Sequence, residues 1–238
     1  MKQVDFVLQK RNLTNLNCEL AVKIHAWLMS QVSAEYSKSV HTSDELRPFS
    51  LFTRIQQSNI VLRFSLLHES AAPLLEPARS ARIINVSGLD GGIAVLDIIE
   101  KPAVSLEQLR KPLPKEFRIV IASPASYKHN KQVSNLYSLP PLLYTVAEKL
   151  RKFEGVDIPN EEVFELCDLV AYSQYELCTT EYKIELGITR PSFIGELTLR
   201  LGGSQEQRDK MALLLRYAAY AGVGAKTALG MGGILLIE

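Results

Sequence analysis

Cysteines are few in this sequence, and they lie far apart. The chain of 238 residues contains three, Cys18, Cys167 and Cys178, and no two of them form a C-x-x-C pair. An odd number of widely spaced cysteines gives neither a zinc site nor a disulfide framework. The pattern therefore predicts a protein that works in a reducing compartment.

Long apolar runs and a strong net charge are also lacking. No stretch approaches the ~20 consecutive apolar residues that are needed to span a bilayer. Polar residues precede Phe6, where a signal peptide would begin its apolar core. The formal net charge is only +1, so the overall charge does not by itself indicate a nucleic-acid binder. The sequence predicts a soluble, cytoplasmic protein without a membrane partner.

The histidines do not form a metal-binding pattern. There are four, His25, His41, His68 and His129, and no two of them stand at the spacing of a helical metal pair. No cluster of carboxylates accompanies any of them, as a hydrolytic metal centre would require. We therefore expect no metal site and no cofactor.

The charged residues are unevenly distributed along the chain. From Lys101 to Lys131 seven lysines and arginines stand against two glutamates, whereas from Glu154 to Glu185 nine acidic residues stand against one lysine. This asymmetry predicts two differently charged faces. The basic face is suited to follow a phosphate backbone, and the alternative is ordinary solvated surface.

The hydrophobic patterning predicts two successive sets of elements with the same order. The first half has the order β-α-β-β-α-β: strand 4–8, helix 18–32, strands 48–55 and 60–66, short helix 70–81, and strands 82–86 and 93–99. The second half repeats it: strand 117–122, helices 142–153 and 161–169, strands 172–186 and 193–201, a helix to 221, and strand 234–237.

Local signals place some of the boundaries. Asn160 can cap the helix that follows it, and Ser204 with Gln207 forms a capping box at the start of the last helix. Residues 33–45 are a polar stretch between a helix and a strand. The order predicts an α+β fold of two tandem ferredoxin-like (RRM-like) units, 1–105 and 116–238.

Five glycines fall within residues 222–233, directly before the last predicted strand. Glycine reaches positive φ freely and lets another backbone approach closely. Successive amide groups in such a loop can form an anion-binding concavity, to which Lys226 adds a full positive charge. The segment is therefore interpreted as a phosphate cradle, and a glycine-capped helix turning into the last strand is the alternative.

The setting of this segment excludes two other phosphate-binding motifs. A nucleotide-binding P-loop follows a strand, opens a helix and has Lys directly after Gly, but here Ala225 separates Gly224 from Lys226. A dinucleotide-binding fingerprint also lies between a strand and a helix, whereas here a helix precedes and a strand follows. A nucleotide-binding enzyme is thus disfavoured.

The same segment resembles the C-terminal glycine-rich motif of the CRISPR repeat-RNA endoribonucleases, which belong to the RAMP superfamily. The similar residues are Tyr220-Ala221-Gly222-Val223-Gly224 and Leu229-Gly230-Met231-Gly232-Gly233-Ile234. The resemblance extends to His41 ahead of Arg47-Pro48-Phe49-Ser50, and to strand 117–127 followed by Leu139-Pro140-Pro141. Where the family usually has Thr-Pro-Thr, this chain has Ser123-Pro124-Ala125.

The resemblance implies a metal-independent endoribonuclease that cuts repeat RNA within the precursor transcript, leaving a 2′,3′-cyclic phosphate and a 5′-hydroxyl. His41 matches the catalytic histidine of the family and would act as general base or acid. Tyr36, Lys38 and Arg47 are the nearby residues that would complete the catalytic site. His25 is the competitor, but its helix is mostly apolar, which predicts a buried and hydrogen-bonded side chain.

The partners also follow from this interpretation. CRISPR repeat RNA is the expected ligand, and the protein is expected to be a monomer or a homodimer. The alternative function is a non-catalytic RNA-binding subunit of a CRISPR effector complex, which would have other effector subunits as partners. The predicted RNA-binding residues are Gly222, Gly224, Lys226, Thr227, Gly230, Gly232, Lys128 and Lys131.

Overall fold

The structure is a computed structural model and describes residues 1–10, 16–41, 46–129, 132–185 and 188–238. The described residues form two main sheets, each covered by helices on one face, and a separate two-stranded sheet. Within the described residues, no helix has the length and apolar character needed to cross a membrane.

The first sheet has the strand order β2-β3-β1-β5-β4. Its unit consists, in chain order, of β1 (Lys2–Gln9), α1 (Leu16–Ser30), α2 (Ala34–His41), β2 (Phe49–Gln56), β3 (Asn59–Leu66), a 3₁₀ turn (Glu69–Ala71), α3 (Ala72–Ser80), β4 (Ile83–Ile84) and β5 (Ile93–Glu100).

The second sheet has the strand order β11-β6-β10-β9, and β7 and β8 form a separate hairpin. This part of the chain consists of α4 (Leu106–Leu109), β6 (Glu116–Ala125), β7 (Tyr127–His129), β8 (Gln132–Ser134), α5 (Leu139–Glu154), α6 (Asn160–Asp168), β9 (Val170–Glu185), β10 (Ile188–Leu201), α7 (Gln205–Ala221), a 3₁₀ turn (Thr227–Leu229) and β11 (Ile234–Ile237).

Both sheets have the ferredoxin-like arrangement. The four principal strands are β1, β2, β3 and β5 in the first sheet and β6, β9, β10 and β11 in the second. When the strands of each sheet are numbered one to four in chain order, both sheets have the spatial order 2-3-1-4 with antiparallel neighbours. The fold class predicted from the sequence, α+β with two tandem ferredoxin-like units, is confirmed.

Alternation of side chains along β2 and β3 decides which face of the first sheet is covered. Phe49 and Leu51 point to the face that α1 and α3 cover, and they belong to the same apolar core as Leu20 and Ile24 of α1. The intervening residues of β2, including Arg54, therefore lie on the opposite face. Part of that face meets the second unit, through Gln3, Ser50 and Phe52.

The polar stretch 33–45 contains the helix α2, which packs on α1. One local prediction, the capping of the helix after Asn160, was wrong. Asn160 is the first residue of α6 and does not cap it, since Pro159 occupies the N-cap position and no side chain caps the helix. The capping box of Ser204 and Gln207 at α7 is confirmed.

The end of α7 joins the two units. The side-chain amide of Gln3 donates to the carbonyl oxygen of Ala219 at 2.9 Å, and the hydroxyl of Ser50 donates to that of Tyr220 at 2.5 Å. Both donors stand on the polar face of the first sheet. The last carbonyls of a helix have no partner within it, so these bonds satisfy groups that would otherwise be left unpaired at the interface.

Candidate nucleic-acid interface

The segment from Gly222 to Gly233, called the glycine loop below, leads from α7 to β11 and lies between the two units. The α-carbon of Gly233 is packed against the ring of Phe52 on β2, and Gly230 stands against Ala21 on α1. On the other side the glycine loop contacts the end of β6 and the first turn of α5. Its conformation is therefore set by both units.

The glycines of the loop are required by close packing. A Cβ atom on Gly230 would lie 2.2 Å from the Cβ of Ala21, and one on Gly232 would lie 1.9 Å from the carbonyl oxygen of Val223. Both glycines also have positive φ, 98° and 65°. Only glycine fits such positions. All four glycines predicted to bind RNA are buried: Gly222, Gly224, Gly230 and Gly232.

Most backbone amides of the glycine loop already have acceptors in the protein. The N–H of Val223 donates to the carbonyl of Gly232, and the N–H of Gly232 donates to Pro124, both at 2.9 Å. The N–H of Ala225 donates to Ser126 at 2.9 Å. The close approach expected from the glycines is present, but it is made by the protein's own backbone, so the loop is not an open cradle along its whole length.

The tip of the glycine loop is its exposed part. Lys226 is exposed and has the left-handed conformation, with φ 59° and ψ 33°, directly before the turn Thr227–Leu229. No described residue accepts a hydrogen bond from the amides of Lys226, Thr227 or Ala228. A left-handed residue followed by consecutive unbonded amides, with an ammonium group beside them, is suited to an anion.

A buried lysine that could not be assigned from the sequence, Lys149, is hydrogen-bonded to this tip from inside the protein. Lys149 of α5 is fully buried, and its Nζ donates to the carbonyl oxygen of Ala221 and to the hydroxyl of Thr227, each at 2.6 Å. Burial lowers the pKa of Lys149 to about 7. The signal in the sequence was its position in the apolar stripe of α5, three residues after Val146.

These contacts assign a structural role to Thr227. Its side chain is buried and bonded to Lys149, and its methyl group fills the space beside Gly222, where a Cβ would be 2.8 Å away. Direct contact of Thr227 with RNA stays a prediction, as it does for the four glycines.

His41 is the last residue of α2, and its side chain lies outside the described part of the chain. Two elements near His41 in the chain, α1 and β2, contact the glycine loop. α2 packs on α1, which contacts the turn Thr227–Leu229, and the chain resumes at Leu46 before β2, which contacts the same turn. The elements near α2 in the chain thus contact the glycine loop, and a position of His41 beside that loop stays a prediction.

The residues predicted to assist His41 have different surroundings. The hydroxyl of Tyr36 donates to the carbonyl oxygen of Ser70 at 2.7 Å, and burial raises the pKa of Tyr36. Lys38 is exposed on α2, and Arg47 is half-buried ahead of β2. Tyr36 is thus turned toward the 3₁₀ turn Glu69–Ala71, and a shared site of these three residues with His41 stays a prediction.

The other histidines and the remaining basic candidates are also placed. His25 is buried and stacked on Phe49, with ring centroids 6.1 Å apart, which confirms the prediction of a buried side chain. Lys128 is exposed on β7, and Lys131 lies outside the described residues. Within the described residues, no group of three or more His, Cys, Asp or Glu side chains could hold a metal ion.

Proteins of a known family are similar to this chain in sequence. The family described as CRISPR-associated endoribonuclease Cas6 matches residues 119–234. The chain is 26% identical over 234 residues to a CRISPR-associated endoribonuclease Cas6 of Streptococcus thermophilus, and the match covers 92% of each chain.

Solved structures give the same result for the fold. A Cas6 product complex has a TM-score of 0.79 and 21% identity, covering 100% of this chain and 99% of that one. A RAMP protein described as binding different RNA substrates has a TM-score of 0.63 and 15% identity, covering 100% of both chains. The resemblance predicted from the sequence is therefore confirmed: over nearly its whole length the chain is similar to CRISPR-associated Cas6 endoribonucleases.

Proposed function

We propose that this protein is a metal-independent endoribonuclease that cuts CRISPR repeat RNA within the precursor transcript to give mature guide RNAs. The observation that supports the proposal is the tip of the glycine loop, where exposed Lys226 precedes amides that have no acceptor among the described residues, beside α1 and β2 of the first unit. The named activity of its relatives supports the same conclusion.

Cleavage needs no metal when the RNA supplies its own nucleophile. In the proposed reaction His41 takes the proton from a ribose 2′-hydroxyl, and the 2′-oxygen forms a bond to the adjacent phosphorus. The bond from phosphorus to the 5′-oxygen breaks, and that oxygen receives a proton from an acid. The products are a 2′,3′-cyclic phosphate and a 5′-hydroxyl.

Positive groups would stabilise the charge that develops on the phosphoryl oxygens. Lys38, Arg47 and Lys226 are the candidates, with Tyr36 as a further neighbour of His41. Such prearranged charges and amides act most strongly where they need no reorganisation during the reaction. Two units contribute in this scheme: 1–105 supplies the histidine, and 116–238 supplies the glycine loop.

Binding of the RNA backbone is proposed for the glycine loop together with exposed basic residues of the second unit. Lys128 and Lys131 would extend the contact beyond the tip of the loop. A-form duplex RNA hides its base edges in a narrow major groove, so recognition of a repeat is expected to depend on RNA shape and a few unpaired bases.

The test is incubation of the purified protein with end-labelled repeat RNA in EDTA, followed by mapping of the product ends. We expect cutting at one site in the repeat, with a cyclic phosphate on the 5′ product. His41→Ala should lower the single-turnover rate by at least about 10²-fold while changing the affinity for RNA little. His68→Ala is the matched control, because His68 is exposed and bonded to Ser70 within its own turn.

The second candidate function is a non-catalytic RNA-binding subunit of a CRISPR effector complex. It is favoured by the similarity to a RAMP protein described as binding different RNA substrates. The same assay separates the two functions, since retention of repeat RNA without cutting would support the subunit. An unchanged rate in His41→Ala would remove that residue from the mechanism.

A further inference from the structure

Three cationic side chains converge on a single carboxylate on the polar face of the first sheet. Arg63 donates from Nε and Nη2 to the two carboxylate oxygens of Asp5, both at 2.7 Å. Nη2 of Arg54 lies 3.9 Å from Oδ2 of Asp5, and Nζ of Lys101 lies 3.7 Å from the same atom. The group formed by these four side chains is called the cation cluster below.

The pairing of the strands explains why these residues meet. Asp5 of β1 stands opposite Arg63 of β3, and Arg63 stands opposite Phe52 of β2. Arg54 follows Phe52 by two residues, so its side chain lies on the same face. Lys101 directly follows β5 and donates its backbone N–H to the carbonyl oxygen of Gln3 at 2.9 Å. Four segments thus place their charges at one point.

The cation cluster contains more positive than negative charge. Three cations share one carboxylate, so the local net charge is +2. Burial raises the pKa of Asp5, but the hydrogen bonds and charge of Arg63, together with Lys101 and Arg54, hold it below the ordinary range. Burial and the charge of Arg63 lower the pKa of both Arg54 and Lys101. Asp5 offsets only part of this lowering, so a further anion beside Arg54 and Lys101 would stabilise their charged forms.

The guanidinium group of Arg54 is only partly hydrogen-bonded within the described part of the chain. Its Nε is buried, and no described residue accepts a hydrogen bond from it. The side chain as a whole is 23% exposed and that of Lys101 is 38% exposed, whereas Arg63 and Asp5 are each 8% exposed. Arg63 and Asp5 thus form a buried pair, and Arg54 and Lys101 stand at its solvent side.

The cation cluster lies beside the junction of the two units. Arg63 contacts the ring of Phe52, with the guanidinium carbon 5.8 Å from its centroid, and Phe52 packs against Gly233 of the glycine loop. Burial raises the pKa of the Tyr220 hydroxyl, and the positive charge of Arg63 lowers it in part. A chain bound at the glycine loop and extended over the first sheet would pass this point.

We propose that Arg54, Lys101 and Arg63 form a binding site for a phosphodiester group of RNA that extends from the glycine loop over the polar face of the first sheet. A guanidinium group presents parallel donors that match the oxygens of a phosphate, and a lysine adds a mobile point charge. The phosphate supplies the negative charge that the cation cluster lacks. The proposal rests on the proposed function, because it takes RNA as the ligand.

The test measures the affinity for repeat RNA that carries a 2′-deoxyribose at the scissile nucleotide, at several salt concentrations. Each phosphate contact contributes roughly 0.7 to 0.9 to the slope of log affinity against log salt. Arg54→Gln and Lys101→Met should each lower that slope by about this amount and weaken binding at low salt by about 5- to 30-fold. Lys210→Met is the matched control, because Lys210 lies on α7 between Glu162 and Glu206.

Thermal unfolding of the two variants without RNA distinguishes a structural role of Arg54 and Lys101 from a role in RNA binding. Removing Arg54 or Lys101 relieves repulsion, so the melting temperature without RNA should stay at or above that of the original protein. RNA should then raise the melting temperature of the variants by less than it raises that of the original protein.

Other results would overturn the proposal. One is an unchanged affinity and salt slope in both variants. In another, inorganic phosphate raises the melting temperature of the original protein but not that of Arg54→Gln, while the salt slope of RNA affinity is the same in both proteins. That result would assign the site to a free anion. A protein that neither binds nor cuts repeat RNA before any substitution would instead contradict the proposed function.

Discussion

Replacing Lys149 by methionine should remove a pH dependence from the stability of the fold. The Nζ of Lys149 is fully buried, and no carboxylate contributes to its pKa, which burial lowers to about 7. In the unfolded chain a lysine has its ordinary pKa of about 10.4. Between these two values the unfolded state binds more protons than the folded state, so the free energy of unfolding rises with pH.

The size of this effect follows from the two pKa values. Between pH 7 and pH 9 the folded state releases most of its proton while the unfolded state keeps its own. Integration over this interval gives an increase of about 2 kcal/mol in the free energy of unfolding. Below pH 7 both states are protonated, and the contribution is constant.

Denaturation by guanidinium chloride at pH 7, 8 and 9, at constant ionic strength, measures this increase. The difference between the original protein and Lys149→Met should grow by about 2 kcal/mol across the interval. Lys152→Met is the control, because it removes an exposed lysine from the same helix and should leave the pH dependence unchanged. A rise that persists undiminished in Lys149→Met would refute the reasoning.

Two further predictions concern stability. Gly232→Ala should lower the free energy of unfolding by at least about 3 kcal/mol, because its Cβ would lie 1.9 Å from the carbonyl oxygen of Val223. Gly155→Ala, at a similar φ of 69° but with no atom within 4 Å, should cost only about 1 kcal/mol, and equal losses in denaturation would contradict the packing argument. Asp5→Asn should lower the melting temperature and make it rise with added salt, since Arg63 and its two cationic neighbours then face no carboxylate; a melting temperature independent of salt would count against it.

Much of the fold could be predicted because its strands alternate and its helices carry apolar stripes. The predicted strands 48–55 and 60–66 correspond to β2 and β3, and their turn is where the sequence indicates it. Leu20, Ile24 and Leu28 recur every four residues in the predicted helix 18–32, and all three face the core. These patterns depend on neighbours within one element, so a single sequence contains them.

The candidate site was harder to predict because its contacts join distant segments. Arg54 and Arg63 were assignable to the outward faces of adjacent strands, but Asp5 and Lys101 join them only through the pairing of β1 with β3 and β5. Lys149 reaches Thr227 across 78 residues. No local periodicity encodes such pairings.

The glycine loop shows why one sequence pattern supports two physical interpretations. Glycines permit close approach equally to a phosphate and to a protein carbonyl. Here Gly224, Gly230 and Gly232 approach the protein itself, while the amides of Lys226, Thr227 and Ala228 have no acceptor among the described residues. Because the buried glycines fix the turn against α1, β2 and β6, the exposed tip is held rigidly between the two units. A rigid loop loses little conformational entropy when it binds a ligand, so the packing of the glycines and the binding of an anion at the tip are compatible functions of the same segment.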